Sequence, residues 1–358
     1  MTLDHASSGQ RFVIPVTDAM HELARFDTVI DVRSESEFAL DHLPGALNCP
    51  VLNDAERVEV GTMDRQQSSF DARRRGAAYV SRNIARHLES EFHSKPKAWQ
   101  PLVYCWRGGG RSRAMLHVLR QVGWRAHQLE GGYRAYRRFV LSDLDALASA
   151  LTWRVICGTT GSGKSRLLQQ LALAGAQVLD LEALAHHRGS VLGGLPAQPQ
   201  PSQKMFESRL WQQLRAFDSR RTVFVESESR KIGEVRVPDR LLEAMRGSEC
   251  IRLEVPLSAR IRLLRDEYQH LEQNRDALLA QLDCLAALHG HQKVGQWKQL
   301  ANEAEWDAVV ERLLVEHYDP AYLKSIDRNF ARAASAAVVR IGGDAVEDFR
   351  AAARTLAA

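Results

Sequence analysis

Two glycine-rich segments hold the residue types and spacings that could do chemistry. In the first, Cys105-Trp106-Arg107-Gly108-Gly109-Gly110-Arg111-Ser112, one thiol stands at the end of an apolar run and is followed by three glycines and two arginines. Glycines let successive backbone N–H groups turn toward one point, and a helix starting there adds the positive end of its dipole. A thiol in that nest is stabilised as the thiolate, its nucleophilic form, by the N–H groups and by Arg107 or Arg111. Cys105 is therefore the expected catalytic residue, attacking or carrying a group from an anionic donor, with Arg107, Gly108, Gly109, Gly110, Arg111 and Ser112 as the anion loop. A cysteine serving only as a small core hydrophobe needs no such loop. Cys49, Cys157, Cys250 and Cys284 lack that setting and read as packing.

The second segment, Gly158-Thr159-Thr160-Gly161-Ser162-Gly163-Lys164-Ser165, fits G-x-x-x-x-G-K-[ST] without a mismatch, after an apolar run and before a helical pattern. Gly158, Gly161, Ser162, Gly163, Lys164 and Ser165 are expected to bind a di- or triphosphate. The backbone would cradle the oxygens, Lys164 counter their charge and Ser165 serve Mg²⁺. Asp180 and Glu226, at the ends of apolar runs, are candidate metal-linked carboxylates; the plainer reading is two carboxylates leaving strands for solvent. Glu226-Ser227-Glu228-Ser229-Arg230-Lys231-Ile232-Gly233 is dense enough in polar groups to read as a site loop.

These loops need elements to place them. Short apolar runs at residues 27–32, 102–104 and 126–129 alternate with helical stretches, the pattern of an α/β domain with a largely parallel sheet. A polar, Arg-rich insertion over residues 53–99 reads as mostly helical around 77–88. Residues 142–150 read as a short helical connector, so domains of 1–145 and 146–358 are expected. The second again alternates: strand 154–157, helix 165–174, strand 177–181, strand 222–225. A Pro-rich stretch, 195–202, reads as a surface loop near a site. Beyond Pro256 the pattern is helical up to a strand at 337–341 and a final helix.

A chain of 358 residues suits two domains, and 45% hydrophobic with 26% charged residues is a globular rather than a disordered composition. Its net charge of +4 permits an anionic partner without identifying one. Two clusters, Arg73, Arg74, Arg75, Arg82 and Arg86, then Arg134, Arg137 and Arg138, are candidate contacts to nucleic-acid phosphates; solvated helix faces are the equal alternative. Five scattered cysteines, with no CxxC pair and no Cys/His spacing for zinc, suit a reducing compartment, and no residue set is assigned to a metal. Residues 1–11 have no signal-peptide pattern and no apolar run could span a bilayer, so a cytoplasmic protein is expected.

Val29-Ile30-Asp31-Val32-Arg33, Glu37-Phe38, His42-Leu43-Pro44-Gly45-Ala46, the cysteine loop and Gly131-Gly132-Tyr133 together resemble a rhodanese domain over most of residues 12–140. Common sulfurtransferases of that family have a shorter loop. Here five residues separate Cys105 from Arg111, as in the related phosphatases, which makes dephosphorylation a rival activity. The wider loop also suits selenophosphate, a tetrahedral anion and chalcogen donor.

Joined to a P-loop NTPase-like α/β domain with a helical C-terminal part, the whole chain resembles the tRNA 2-selenouridine synthase family. Asp180-Leu181-Glu182, His187-Arg188-Gly189-Ser190, Gln200-Pro201-Ser202-Gln203, Phe206-Glu207 and residues 226–233 add to that resemblance. It implies a selenotransferase with geranyl transferase activity that converts wobble 2-thiouridine in tRNA to 2-selenouridine. The sulfur is first geranylated from geranyl diphosphate, then displaced by selenium from selenophosphate, with Cys105 handling selenium as a selenopersulfide. A selenophosphate-producing enzyme is the implied protein partner, and no membrane is involved. The loop at Lys164 is then expected to hold the diphosphate of geranyl diphosphate and stabilise the departing pyrophosphate, with a nucleotide as the competing occupant. Two other readings stay open: a rhodanese- or phosphatase-type cysteine enzyme fused to a nucleotide-dependent P-loop domain, and a nucleotide-switched tRNA-binding module.

Overall fold

A computed structural model describes residues 12–190, 192–195 and 198–357; the expectation drawn from residues 1–11, and part of that for the Pro-rich stretch, fall outside them. The chain forms two compact units, Met1–Asp143 with Glu207–Gln212, and Leu144–Phe206 with Gln213–Ala358. They divide within one continuous helix, Gly132–Ala150, where the sequence suggested a separate connector.

In the first unit five strands, β1 (Val13–Ile14), β2 (Thr28–Asp31), β3 (Ala46–Asn48), β4 (Pro101–Tyr104) and β5 (His127–Leu129), pair in the order β1-β5-β4-β2-β3. Every pairing is parallel. A parallel sheet is covered on both faces, which is why Pro101-Leu102-Val103-Tyr104 is buried at all four positions. The insertion becomes two helices, Asp54–Gln66 and Ser69–Glu89. Asn53 caps the first by accepting from the Glu56 N–H, and Ser68 caps the second by accepting from Asp71. Ile84, Phe92, Trp99, Met115 and Leu119 share one core with Ile30 and Val103 of the sheet.

The second unit repeats the plan with β6 (Thr152–Cys157), β7 (Gln177–Leu179), β8 (Thr222–Glu226), a hairpin of β9 (Lys231–Ile232) and β10 (Val235–Arg236), β11 (Glu249–Glu254) and β12 (Ala337–Arg340). Its main sheet has the order β12-β11-β6-β8-β7 and is again all parallel. The first helix after β6, Lys164–Leu173, packs through Leu167, Leu168 and Leu171 against Phe349 and Ala353 of the last helix, Val346–Ala357. β11 and β12 are neighbours, yet residues 255–336 lie between them and are largely helical. No helix among the described residues is long and apolar enough to cross a membrane.

Candidate active sites

The cysteine loop leaves β4, the middle strand of its sheet, and enters the helix Gly110–Val122. Cys105 is buried at 3% exposure, and its Sγ accepts from the Gly109 N–H at 3.3 Å and the Ser112 hydroxyl at 3.2 Å. Gln128 donates its amide N–H to Ser112 Oγ (2.7 Å) and to the Gly108 carbonyl (2.8 Å). The Ser112 hydroxyl, accepting from Gln128, points its proton toward Cys105 Sγ, with the Gly109 carbonyl at 3.3 Å as its other acceptor. Burial alone would raise the Cys105 pKa. Hydrogen bonds from the Ser112 side chain and from the backbone of Ser112 and Arg107, with the charge of Arg111, outweigh it and hold the thiol below its ordinary 9. Cys49, buried in the same unit without such donors, is pushed up to about 12, chiefly by burial.

Three further contacts fix the loop. Arg111 is held by Glu37 at 3.0 Å, and Glu37 also meets Arg57 at 3.2 Å. The N–H groups of Tyr133 and Arg134 donate to the carbonyls of Cys105 and Trp106 at 2.9 and 3.0 Å, tying those oxygens back. That approach is possible because Gly132, at φ +56°, has no side chain: a Cβ there would lie 2.2 Å from the Cys105 carbonyl oxygen. Behind the loop, Asp31 and Arg33 form a buried pair (2.6 Å), and Arg33 also donates to the Asp41 carbonyl. These two belong to the framework. Arg107 and Gly110 are exposed, and Arg107 has no acidic partner among the described residues.

The phosphate loop likewise leaves β6, the middle strand of its sheet, and enters the helix Lys164–Leu173. Gly163 stands at φ +72°, where a Cβ would lie 2.5 Å from the Phe349 ring. Lys164 Nζ donates to the Gly158 carbonyl (3.0 Å), Ser165 Oγ donates to Glu182 (3.0 Å), and the Gly158 N–H donates to the Tyr322 hydroxyl (2.6 Å). Ser162 Oγ is buried without a hydrogen-bond partner. Arg260 braces the loop by donating to the Thr160 carbonyl and pairing with Asp319 at 2.6 Å. The loop opens on a cleft of about 370 Å³ that Glu182, Arg188, Glu228, Tyr268 and Tyr322 also line.

The two carboxylates singled out in the sequence each meet the start of a helix. Asp180 caps the short helix Leu181–Ala185 by accepting from the Ala183 N–H (2.8 Å). Glu226 closes β8 and accepts from the N–H groups of Leu181 and Glu182 at 2.7 and 3.0 Å. Both satisfy otherwise unpaired donors of a helix start. The carboxylates that reach the cleft are Glu182 and Glu228, each two residues further along, and Glu267 from the helical segment after β11. Burial raises the first two; Glu228, also facing the charge of Glu182, is pushed up to about 8, with Lys164 opposing. Among the described residues no group of three or more His, Cys, Asp or Glu side chains is arranged to hold a metal. In the segment 226–233, the hairpin is held by Gln200, which donates to the Ile232 carbonyl and accepts from the Glu234 N–H, and by Gln203 on Arg236.

The arginine clusters divide. Arg74 pairs with Asp71 (3.0 Å), Arg75 with Glu59 (2.8 Å), and Arg73 donates to the Ser69 carbonyl. Arg82 and Arg86 are exposed on the same helix, as are Arg134 and Arg138 on the helix Gly132–Ala150. Arg137 is different: it is mostly buried and bonded to Asp41, Glu207 and Ser208, so its role is structural and it is not free to meet a phosphate. All five cysteines are free thiols, and Cys284, expected to be packing, is exposed.

Residues 16–138 match the family model of the rhodanese-like domain, and residues 151–291 that of the tRNA 2-selenouridine synthase AAA domain. Among curated relatives, the tRNA 2-selenouridine synthase of Nitrosomonas europaea is 39% identical over 67% of this chain and 63% of its own length. That of Nitrosomonas eutropha is 38% identical over 70% and 66%, and that of Aeromonas salmonicida is 33% identical over 87% and 90%. The chain thus spans just under two-thirds of the two Nitrosomonas proteins and nine-tenths of the Aeromonas one. On both domain models, in this order, and on that near-complete match, the chain belongs to the tRNA 2-selenouridine synthase family.

Proposed function

We propose that this protein is a cytoplasmic enzyme that converts wobble 2-thiouridine in tRNA to 2-selenouridine in two steps. In the first, the sulfur attacks the C1 carbon of geranyl diphosphate, an S–C bond forms, the C–O bond breaks, and pyrophosphate leaves. In the second, S-geranyl tRNA, selenophosphate and water give 2-selenouridine, geranyl thiol and phosphate. The observation that carries this reading is a thiol that accepts hydrogen bonds from its own loop, with five residues between Cys105 and Arg111. Cys105 accepts from Ser112 and Gly109, and the loop N–H groups and Arg107 offer further donors for selenophosphate.

Lys164 and the loop backbone hold the diphosphate and stabilise the charge that develops on it as it departs. A Mg²⁺ beside it would be held by Ser165 and Glu182, whose side-chain oxygens adjoin, and would supply further positive charge to the diphosphate; this ion is usually held by one or two protein oxygens with phosphate and water. Within the two clusters, the exposed Arg82, Arg86, Arg134 and Arg138 are the proposed contacts to tRNA phosphates. Selenophosphate is supplied by a separate enzyme. The test is to incubate thiolated tRNA and selenophosphate with the protein, with and without geranyl diphosphate, and analyse the nucleosides by mass spectrometry. Selenouridine that depends on geranyl diphosphate is the expected result; a requirement for ATP instead would overturn the assignment of the phosphate loop.

A further inference from the structure

A crossover between neighbouring parallel strands needs little more than a dozen residues. Between β11 and β12 this chain spends residues 255–336, and their helices do more than return the chain. Leu264, Leu271, Leu278, Val309, Val310 and Leu313 enclose an apolar pocket of about 70 Å³. The charged side chains in its lining satisfy each other: Arg265 pairs with Glu272 at 2.9 Å and with Asp307 at 2.9 Å, so nothing polar is asked of an occupant. The pocket is not isolated. Thr160 of the phosphate loop, Ser190, Leu264, Tyr268 and Tyr318 line both it and the cleft. The dividing wall includes a π-helical turn, Leu314–Tyr318, which gives Leu314 to the pocket, His317 to the cleft and Tyr318 to both. Such turns are uncommon and occur often at functional sites.

A polar cradle for phosphate that shares five lining residues with an adjoining hydrocarbon-lined pocket suits a ligand with a diphosphate head and an apolar tail. The sugar and base of a nucleotide, with their many donors and acceptors, would leave polar groups unpaired there. We infer that the pocket between Leu264, Leu278, Val310 and Leu313 seats the hydrocarbon tail of a prenyl diphosphate whose head lies on the phosphate loop, and that its depth selects chain length. This rests on the reading of Lys164 as the holder of geranyl diphosphate. The pocket takes the far end of the tail, and the apolar side of the cleft, Leu264, Ile326 and Phe330, covers the rest.

Two substitutions in the full-length chain test it from opposite sides, with titrations of geranyl diphosphate, farnesyl diphosphate and inorganic pyrophosphate. Val310→Trp, at a half-buried lining position, fills the pocket. Affinity for geranyl diphosphate should fall by roughly tenfold or more, as several buried carbons lose their place, while pyrophosphate binds within about twofold of wild type. Leu278→Ala deepens the pocket and should shift preference toward farnesyl diphosphate. Unchanged ratios of prenyl diphosphate to pyrophosphate affinity in both variants, with wild type binding geranyl diphosphate, would overturn the pocket alone. If Val310→Trp does not fold, the direction of the Leu278→Ala shift decides. Wild type that binds pyrophosphate and ATP but no prenyl diphosphate would overturn the underlying reading as well.

Discussion

The cysteine loop and the phosphate loop are built alike and charged differently. Each follows the middle strand of a five-stranded parallel sheet, uses glycine where another chain segment crowds it, and ends in a helix start. At Cys105 the donors already converge on an atom of the protein, and the net effect is a thiol held below its ordinary pKa. At Lys164 the cation donates to a carbonyl of its own loop, and carboxylates crowd the rim with pKa values raised by burial. One loop favours negative charge on an atom of the chain itself. The other keeps a cation and acidic side chains side by side, with no atom of the chain for its donors to converge on. Preorganised donors aimed at a fixed atom suit a nucleophile, whereas groups that exchange partners suit a substrate that must enter and leave.

The largest break in that comparison should come from Cys105→Ala. Selenation should fall on the order of 10⁴-fold or more, as expected for loss of a nucleophile, while geranylation proceeds and S-geranyl tRNA accumulates. Normal selenouridine in this variant would remove Cys105 from the reaction.

Lys164→Ala should act on the opposite step. Losing a charge-assisted contact to departing pyrophosphate costs about 3 kcal/mol, or roughly a hundredfold in geranylation rate. Selenation of tRNA supplied already geranylated should be spared. Equal loss of both steps in a folded variant would mean the loops are not independent.

Ser112→Ala sharpens the account of the thiolate. Without that hydroxyl the Cys105 pKa rises toward 9, and alkylation by iodoacetamide at pH 7 should slow about tenfold, the worth of one hydrogen bond to a charged atom. Peptide mass spectrometry reads Cys105 separately, with exposed Cys284 as the internal control. An unchanged rate at Cys105 would transfer the credit to the backbone N–H groups and Arg111.

The smallest effect concerns Glu228. Its folded pKa of about 8 lies above the ordinary 4.5, so between those values the folded chain keeps a proton that the unfolded chain gives up. The stability this contributes is full below about pH 4.5 and is lost as pH rises through about 8. Melting temperature should therefore drop between pH 5 and 8.5, and Glu228→Gln should reduce the drop by about 2–4 °C. Parallel curves for the two proteins would show that Glu228 is not the group that titrates.

Much of this was legible in the sequence wherever the information is local. Residues 102–104 and 155–157 announce buried strands by unbroken apolar character, and each loop is written in eight consecutive residues. β11 was missed because Glu249, Arg252 and Glu254 break up Cys250, Ile251 and Leu253, although in the fold Arg252 and Glu254 pair with each other at 3.1 Å. Glu37 and Gln128 could not be found as partners of the cysteine loop: they come from a different helix and a different strand, brought near only by the sheet order. The choice between Asp180 and Glu182, or Glu226 and Glu228, turns on which way the backbone bends after a strand. Spacing alone does not say that. Arg137 looked like its neighbours Arg134 and Arg138 because burial of a charge depends on Asp41 and Glu207, both far away in the chain.

The long excursion between β11 and β12 also bears on how the protein emerges from the ribosome. The first sheet needs only residues 13–129 and can close while the rest is being made. The second cannot gain its outer strand until residues 337–340 appear, because β12 pairs with β11 alone. Lengthening a loop adds little to the equilibrium cost of closing it, since that cost grows only with the logarithm of length. The burden is kinetic: a parallel pairing at such separation forms late, and one edge of β11 stays open to other chains meanwhile. Low temperature during expression, which weakens hydrophobic association through that open edge, should therefore raise the yield of native protein.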